Sequence, residues 1–302
     1  MIDIVIVNWN SGDYLTKCIR SVFAPGNENL IGKVVVIDNN SADGSAGNII
    51  EDNRITIVRN HDNLGFSKAC NQGFHICTSD YVLLLNPDAM LLSTTLNDCL
   101  NFMSRNKDVD ILGCALLDDN GIKTKSCSRF PSPLRIFFDA SGLSKIAPGI
   151  FNPSTLMTDW DHNESREVNQ VMGAFMFMRR KLFDQIGFFD ERFFVYYEEV
   201  DFSRRLKTAG GKIFYNKDIA AIHSGEGTTK SVKAFRLFLS LRSRLQYAKK
   251  HFNTGGYWLV CVSTFLIEFF TRTILELLKA NITGVKEIVK GYALLIQKNT
   301  HE

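Results

Sequence analysis

Tyr81-Val82-Leu83-Leu84-Leu85-Asn86-Pro87-Asp88 joins a wholly apolar run to a polar turn. Its first five residues are apolar at odd and even positions alike, which is how a strand buried on both faces reads. Pro87 stiffens the turn that follows, and Asp88 sets a carboxylate just past the strand's carboxyl end. Similar runs occupy 2–7, 33–38 and 55–58. Segments of helical spacing lie between them at 14–23, 42–52 and 66–77, with Asp13, Asp43 and Ser67 as starts. This alternation predicts right-handed βαβ units and an α/β fold: a Rossmann-like, mainly parallel sheet flanked by helices. Ligands of such sheets bind beyond the carboxyl ends of the strands. A helix over 94–105 and a strand over 109–116 come next, then Asp118-Asp119-Asn120-Gly121 as a hairpin turn.

Beyond this point the pattern loosens. Residues 130–166 hold four of the six prolines (Pro131, Pro133, Pro148, Pro153) without a sustained period, which reads as a long substrate-covering loop. An apolar strand over 168–178 is interrupted by Gly173-Ala174. A helix runs to Gly187, a second from near Glu198 to Gly210-Gly211, and a strand over 212–215 leads to a loop bearing His223.

With 302 residues, 45% hydrophobic and 22% charged, the chain can bury one large core, or one core and a smaller unit. Seven scattered cysteines, odd in number and never spaced C-x-x-C, exclude a disulfide framework and a zinc cluster and point to a reducing cytosol. The apolar N-terminus carries Asp3 and lacks a basic flank and a small-residue cleavage site. It reads as a strand and not a signal peptide, so the protein is expected to stay where it is made. From Lys230 onward twelve Lys and Arg face four Asp and Glu, a net of +8; the chain total of +3 leaves the first 229 residues at −5. A basic tail on an acidic body suits an anionic surface. Nucleic acid is not among the expected partners.

Three strand ends carry the candidate chemistry. Asp88 can hold a divalent cation, although an isolated Asn-Pro-Asp is more often a plain turn. Val34-Val35-Val36-Ile37-Asp38-Asn39-Asn40-Ser41 delivers Asp38, able to accept from the imide N–H of a uracil or thymine ring or from a ribose hydroxyl; an ordinary Asx turn is the alternative. Val7-Asn8-Trp9-Asn10 brings backbone and amide groups to the same edge. No dinucleotide fingerprint and no P-loop is available for phosphates, so a metal is the substitute. The other half of a reaction centre lies in Phe193-Phe194-Val195-Tyr196-Tyr197-Glu198-Glu199-Val200-Asp201. Acids at a helix start are favoured by the macrodipole whatever their function. Asp201 has Arg204 and Arg205 at helical spacing and reads as structural. Glu199 has only Phe202 and Ser203 there, which leaves its carboxylate available as a general base, and the aromatics before it should raise its pKa. His223 either completes a metal site with Asp88 or is a surface residue.

Together these segments resemble the family 2 glycosyltransferases of GT-A fold, most closely their rhamnosyltransferase-like branch. The resemblance covers residues 2–250 in five ordered blocks: 4–10, 36–44, 60–73 with Asn63-Leu64-Gly65-Phe66 and Asn71, 84–88, and 187–205 followed by His223. It implies that Asp38 contacts the nucleotide, Asp88 binds metal and diphosphate, Glu199 is the base and His223 a metal or diphosphate ligand. Val7, Asn8, Asn10, Asn63, Gly65, Asn71, Asn86 and Gly173 complete the donor-side set. Relatives often carry Asp-x-Asp where Asn86 stands here, and Glu-Asp where Glu198-Glu199 stands, so Glu198 is a second candidate for the base. The implied reaction is direct displacement with inversion, assisted by Mg²⁺ or Mn²⁺.

The tail adds a helix over 234–252 and a second over 257–278 that Glu268, Arg272 and Glu276 interrupt at i, i+4 and i+8. Only 257–267 is uncharged, eleven residues against the roughly 20 of a membrane span. An interfacial amphipathic helix fits better; packing against the body or a second subunit of a homo-oligomer is the alternative. The expected organisation is a catalytic domain over 1–230 and a basic, membrane-associating or oligomerising helical extension over 231–302. The expected partners are a dTDP- or UDP-linked sugar, rhamnose among them, and a lipid-linked glycan at the inner face of the cell membrane. A polyprenyl-phosphate glycosyltransferase and a non-catalytic nucleotide-sugar-binding scaffold are the competing readings.

Overall fold

The computed structural model describes residues 1–147, 150–151, 155–225 and 233–299. Pro148 and Pro153 of the proline-rich stretch, and Glu226, Gly227 and Lys230 after His223, lie outside the described residues. The chain divides into two compact units. The first takes in 1–128, 160–191 and 198–228, the second 129–159, 192–197 and 229–302.

The first unit is an α/β layer structure. Strands β1 (Ile2–Asn8), β2 (Ile31–Asp38), β3 (Ile55–Arg59) and β4 (Tyr81–Leu85) form its parallel half. All seven residues of β1 are buried, as expected of a central strand whose two faces are covered. After β4 come β5 (Ala89–Leu91), β6 (Ile111–Leu117), the short β7 (Cys127–Ser128), β8 (Arg166–Glu167) and β9 (Gln170–Val171), then β10 (Phe175–Arg179) and β11 (Ile213–His223). The main sheet runs β3-β2-β1-β4-β10-β6-β11-β5, with β10 antiparallel to both neighbours and β5 antiparallel to β11. Helices α1 (Asp13–Val22), α2 (Phe66–Ile76) and α3 (Thr95–Arg105) flank it. α2 lies close on β1 because Gly73 has no side chain: a Cβ there would stand 2.4 Å from Val5 Cγ1. Asp3, fully buried on β1, accepts from the backbone N–H groups of Lys33, Thr78 and Ser79 and from the Ser79 hydroxyl. All seven cysteines are free.

Three sequence expectations need correction. No α-helix forms over 42–52; only a 3-10 turn at Ser45–Gly47 is present. Asp43 instead accepts from Gly12 N, Ser45 N and Ser45 Oγ, and such local side-chain bonds compete with a helix. Residues 130–166 are not an unbroken loop, since they contain α4 (Pro133–Ser141) and α5 (Leu143–Ile146). Ser132 caps α4 by accepting from Arg135 N, Pro133 occupies its first turn, and Gly142 ends it at φ 79°. The strand after Gly211 does not stop at Tyr215. It passes an irregularity between Asn216 and Ala220 and continues to His223, held by β6 on one side and β5 on the other.

Helices α6 (Leu182–Ile186) and α7 (Glu198–Thr208) complete the first unit. The second unit is helical. α8 (Lys233–His251), α9 (Thr254–Val262) and α10 (Phe269–Leu278) are followed by α11 (Ile282–Asn299), and a π-helical turn at Ser263–Glu268 joins α9 to α10. Its core gathers Ile136, Phe238, Leu241, Val260, Tyr292 and Leu295. Thr254–Leu278 is one helical run of 25 residues, long and apolar enough to cross a membrane by length and composition. Its charged residues are turned to use: Glu268 is buried and pairs with Arg244 and Arg272, while Glu276 pairs with Lys279. Trp258, Val262, Leu266, Phe270, Ile274 and Leu278 recur every fourth residue and are exposed, giving the run one apolar stripe.

Candidate active site

The carboxyl ends of β1, β2 and β4 converge as the strand pattern requires. Asn8 is fully buried, and its Nδ2 lies 2.9 Å from Asp38 Oδ1, 3.0 Å from Ser41 Oγ and 2.9 Å from Ser45 Oγ, while Ser11 Oγ donates to its Oδ1. Asn8 therefore fixes the aim of Asp38. Val7 is buried within β1 and offers only backbone. Asn10, at φ 51°, accepts from Ala42 N at 2.7 Å and shapes the loop after β2. Asn39, which the sequence reading passed over, is the hub of the neighbouring loop. Its Nδ2 donates to Asn63 Oδ1 and Gly65 O, and its Oδ1 accepts from Leu64 N and Asn60 Nδ2. Asn63 in turn accepts from Gly65 N, and Gly65 turns at φ 87° into α2. The available signal was position: Asn39 directly follows the strand-ending acid.

Asn71 is placed elsewhere. Its side chain exchanges hydrogen bonds with the backbone of Phe189 and donates to Glu191 Oε1, joining α2 to the loop before α7.

Asp88 and His223 come together through strand pairing. His223 stands opposite Ala89 in the β11–β5 ladder, so the residue just before β5 meets the last residue of β11. His223 Nε2 lies 3.4 Å from Asp88 Oδ1, and both side chains are largely shielded from solvent. Ser224 extends the link: its N–H donates to Asp88 O, and its hydroxyl to Asp119 Oδ1 in the hairpin turn after β6. Asn86 N–H donates to Ala174 O, and Asn86 O accepts from Ala89 N and, at 3.6 Å, from Cys18 Sγ. Among the described residues no three His, Cys, Asp or Glu side chains gather around one point. The Asp88–His223 pair supplies one carboxylate oxygen and one imidazole nitrogen, a donor set of the kind that divalent cations take.

The acid pair opens α7. Glu198 is buried, Glu199 half-buried, and Oε2 of each is sealed from solvent with no hydrogen-bond partner among the described residues. Burial pushes the Glu198 carboxyl well above its ordinary range, and the neighbouring Glu199 charge adds to this; burial raises Glu199 as well. Gln170 on β9, unforeseen in the sequence, donates from Nε2 to Glu199 Oε1 at 3.4 Å. Gly173 stands beside the same residue, where a Cβ would come 3.8 Å from Glu199 Cγ. Asp201 is paired with Arg205 at 2.8 Å.

The glycosyl transferase family 2 model matches residues 3–187, more than half of the chain. The chain belongs to that family. As a family 2 glycosyltransferase it is similar to the N-acetylglucosaminyl-diphospho-decaprenol L-rhamnosyltransferase of Mycobacterium tuberculosis, at 25% identity over 85% of this chain and 86% of that one. It is also similar to the rhamnosyltransferase WbbL of Escherichia coli, at 24% identity over 83% and 94%. Among solved structures, the mannosyltransferase PcManGT from Pyrobaculum calidifontis, in complex with GDP-Man and Mn²⁺, superposes with a TM-score of 0.56. The match has 12% identity and covers 98% of this chain and 86% of that one. The GT-A fold expected from the sequence is the fold observed, and the rhamnosyltransferase-like relatives agree with the branch.

Proposed function

We propose that this family 2 glycosyltransferase moves a sugar, rhamnose in the first instance, from a dTDP- or UDP-linked donor to a lipid-linked saccharide, with inversion at the anomeric carbon. The observation that carries this reading is the Asp88–His223 pair, 3.4 Å apart beyond the carboxyl end of the most central strand. Asp88 and His223 would hold a divalent cation, Mg²⁺ or Mn²⁺, which when bound supplies charge stabilisation for the departing diphosphate. Asp38, aimed by Asn8, takes the nucleotide base or ribose.

Glu199 is the base. Its Oε1 is oriented by Gln170 while Oε2 has no hydrogen-bond partner among the described residues, and its raised proton affinity suits a group that must accept a proton near neutral pH. The acceptor oxygen attacks the anomeric carbon as the bond to the diphosphate oxygen breaks. The hydroxyl proton passes to Glu199, and the electron pair of the broken bond leaves on the diphosphate. Gly173 keeps space beside Glu199 that any side chain would narrow. The relatives, one of them an N-acetylglucosaminyl-diphospho-decaprenol L-rhamnosyltransferase, support the sugar and the lipid-linked acceptor. The exposed stripe of Thr254–Leu278 supports docking on the membrane surface where such acceptors reside.

A thermal-shift screen of UDP-, dTDP- and GDP-sugars, with and without Mg²⁺ or Mn²⁺, tests the donor assignment. The expected result is stabilisation by a dTDP- or UDP-sugar that requires metal and is lost in Asp88→Ala. Equal metal-independent stabilisation in Asp88→Ala would remove Asp88 from the site.

A further inference from the structure

We infer that Tyr197 and Arg244 are positioning residues for Glu199, acting along the chain from Tyr197 into the first turn of α7; this rests on the reading of Glu199 given above. Tyr196 and Tyr197 adopt φ of 69° and 71°, two successive non-glycine residues in the left-handed region. Such backbone persists only where the surroundings over-determine it, and it concentrates at functional sites. Three contacts hold the segment. Ser243 Oγ donates to Val195 O at 2.8 Å, Arg244 is hydrogen-bonded to the Tyr197 side chain, and the Tyr197 ring lies 5.3 Å from that of Tyr247. Arg244 is held in turn by the buried Glu268, and Arg272 grips the same carboxylate at 2.6 Å.

A buried ion pair is a weak source of stability, because desolvation offsets most of the attraction; its best-attested use is to fix one arrangement among several. Here the arrangement fixed is that of a strained segment, and the next two residues in the chain are Glu198 and Glu199. The link from Tyr197 onward is the peptide bond itself. Releasing it lets the first turn of α7 relax and moves the base relative to the acceptor hydroxyl. A misplacement of about 1 Å can lower such a rate on the order of a hundredfold.

The test uses the full chain with donor, metal and acceptor. Tyr197→Phe removes one hydroxyl and should lower kcat by about tenfold or more, with KM for the donor and thermal stability close to wild type. Arg244→Met should do the same or worse, and Arg244→Lys should recover part of the loss; if Arg244→Met does not fold, Tyr197→Phe decides alone. A folded Tyr197→Phe with wild-type kcat overturns the inference, and so does a loss that only follows a fall in stability. Glu199→Gln is measured alongside. If it retains full turnover, the base assignment fails and this inference with it. If it is inactive while Tyr197→Phe is normal, only the positioning role fails.

Discussion

Replacing Glu198 by Gln should make the protein more stable at neutral pH and should flatten the dependence of its stability on pH. Glu198 is 4% exposed, its Oε2 has no hydrogen-bond partner among the described residues, and burial followed by the charge of Glu199 lifts its carboxyl well above the ordinary value of 4.5. The folded state therefore holds this proton more tightly than the unfolded state. Such a group favours folding least where the unfolded chain has already ionised: stability is highest below about 4.5 and falls as pH rises toward the folded-state value. While one proton separates the two states, the slope is about 1.4 kcal/mol per pH unit. Glutamine keeps the shape and cannot ionise, so the variant should gain on wild type by that amount per unit above about pH 4.5. Urea unfolding of both proteins at several pH values from acid to neutral reads the difference directly. Parallel stability curves, or a wild type that gains stability over this range relative to the variant, would mean that folding does not raise the proton affinity of Glu198.

Other outcomes follow from the same contacts. Asp3→Ala leaves the N–H groups of Lys33, Thr78 and Ser79 without their acceptor and should cost roughly 3 kcal/mol or more in denaturant unfolding. Gly73→Ala sets a Cβ 2.4 Å from Val5 Cγ1 and should destabilise by about 1–3 kcal/mol despite the better helix propensity of Ala, whereas Gly47→Ala, with open space around it, serves as control. Changing Trp258, Leu266, Phe270 and Ile274 together to Ser should abolish binding to anionic vesicles in a flotation assay without lowering the melting temperature, since all four are exposed; retained binding would assign the stripe to something other than a lipid surface.

The parallel half of the sheet was legible in the sequence because β1, β2 and β4 are largely buried on both faces and leave runs of Val, Ile and Leu. The positions of Glu199 and Asp88 were legible because each sits at an element boundary, Asp88 just before β5 and Glu199 in the first turn of α7. Less legible was everything set by partners distant in sequence. Nothing local reveals that Asn71 serves Phe189, or that Gln170 reaches Glu199, because those bonds span over a hundred and nearly thirty residues respectively. His223 read as a loop residue because Asn216-Lys217-Asp218 breaks the apolar run, yet cross-strand pairing carries β11 through that irregularity. α4 had its signals in Ser132, Pro133 and Gly142, which the proline count obscured. Residues 42–52 erred the other way: their helical spacing was real, but Asp43 and Gly44 commit the segment to turns. The tail is also more integrated than a detachable anchor. A cut after Phe252 would remove Val260, Ile288, Tyr292 and Leu295 from the core they share with Phe238 and Leu241, so point changes on the exposed stripe probe membrane docking more cleanly than truncation.

Whether Glu199 accepts the acceptor's proton is read from sugar transfer by Glu199→Gln compared with wild type in the presence of Mg²⁺ or Mn²⁺. Turnover should fall by about 10²–10⁴-fold, while the nucleotide sugar stabilises the variant thermally as it does the wild type. Turnover within about twofold of wild type, against that expected loss, would mean that Glu199 is not the base.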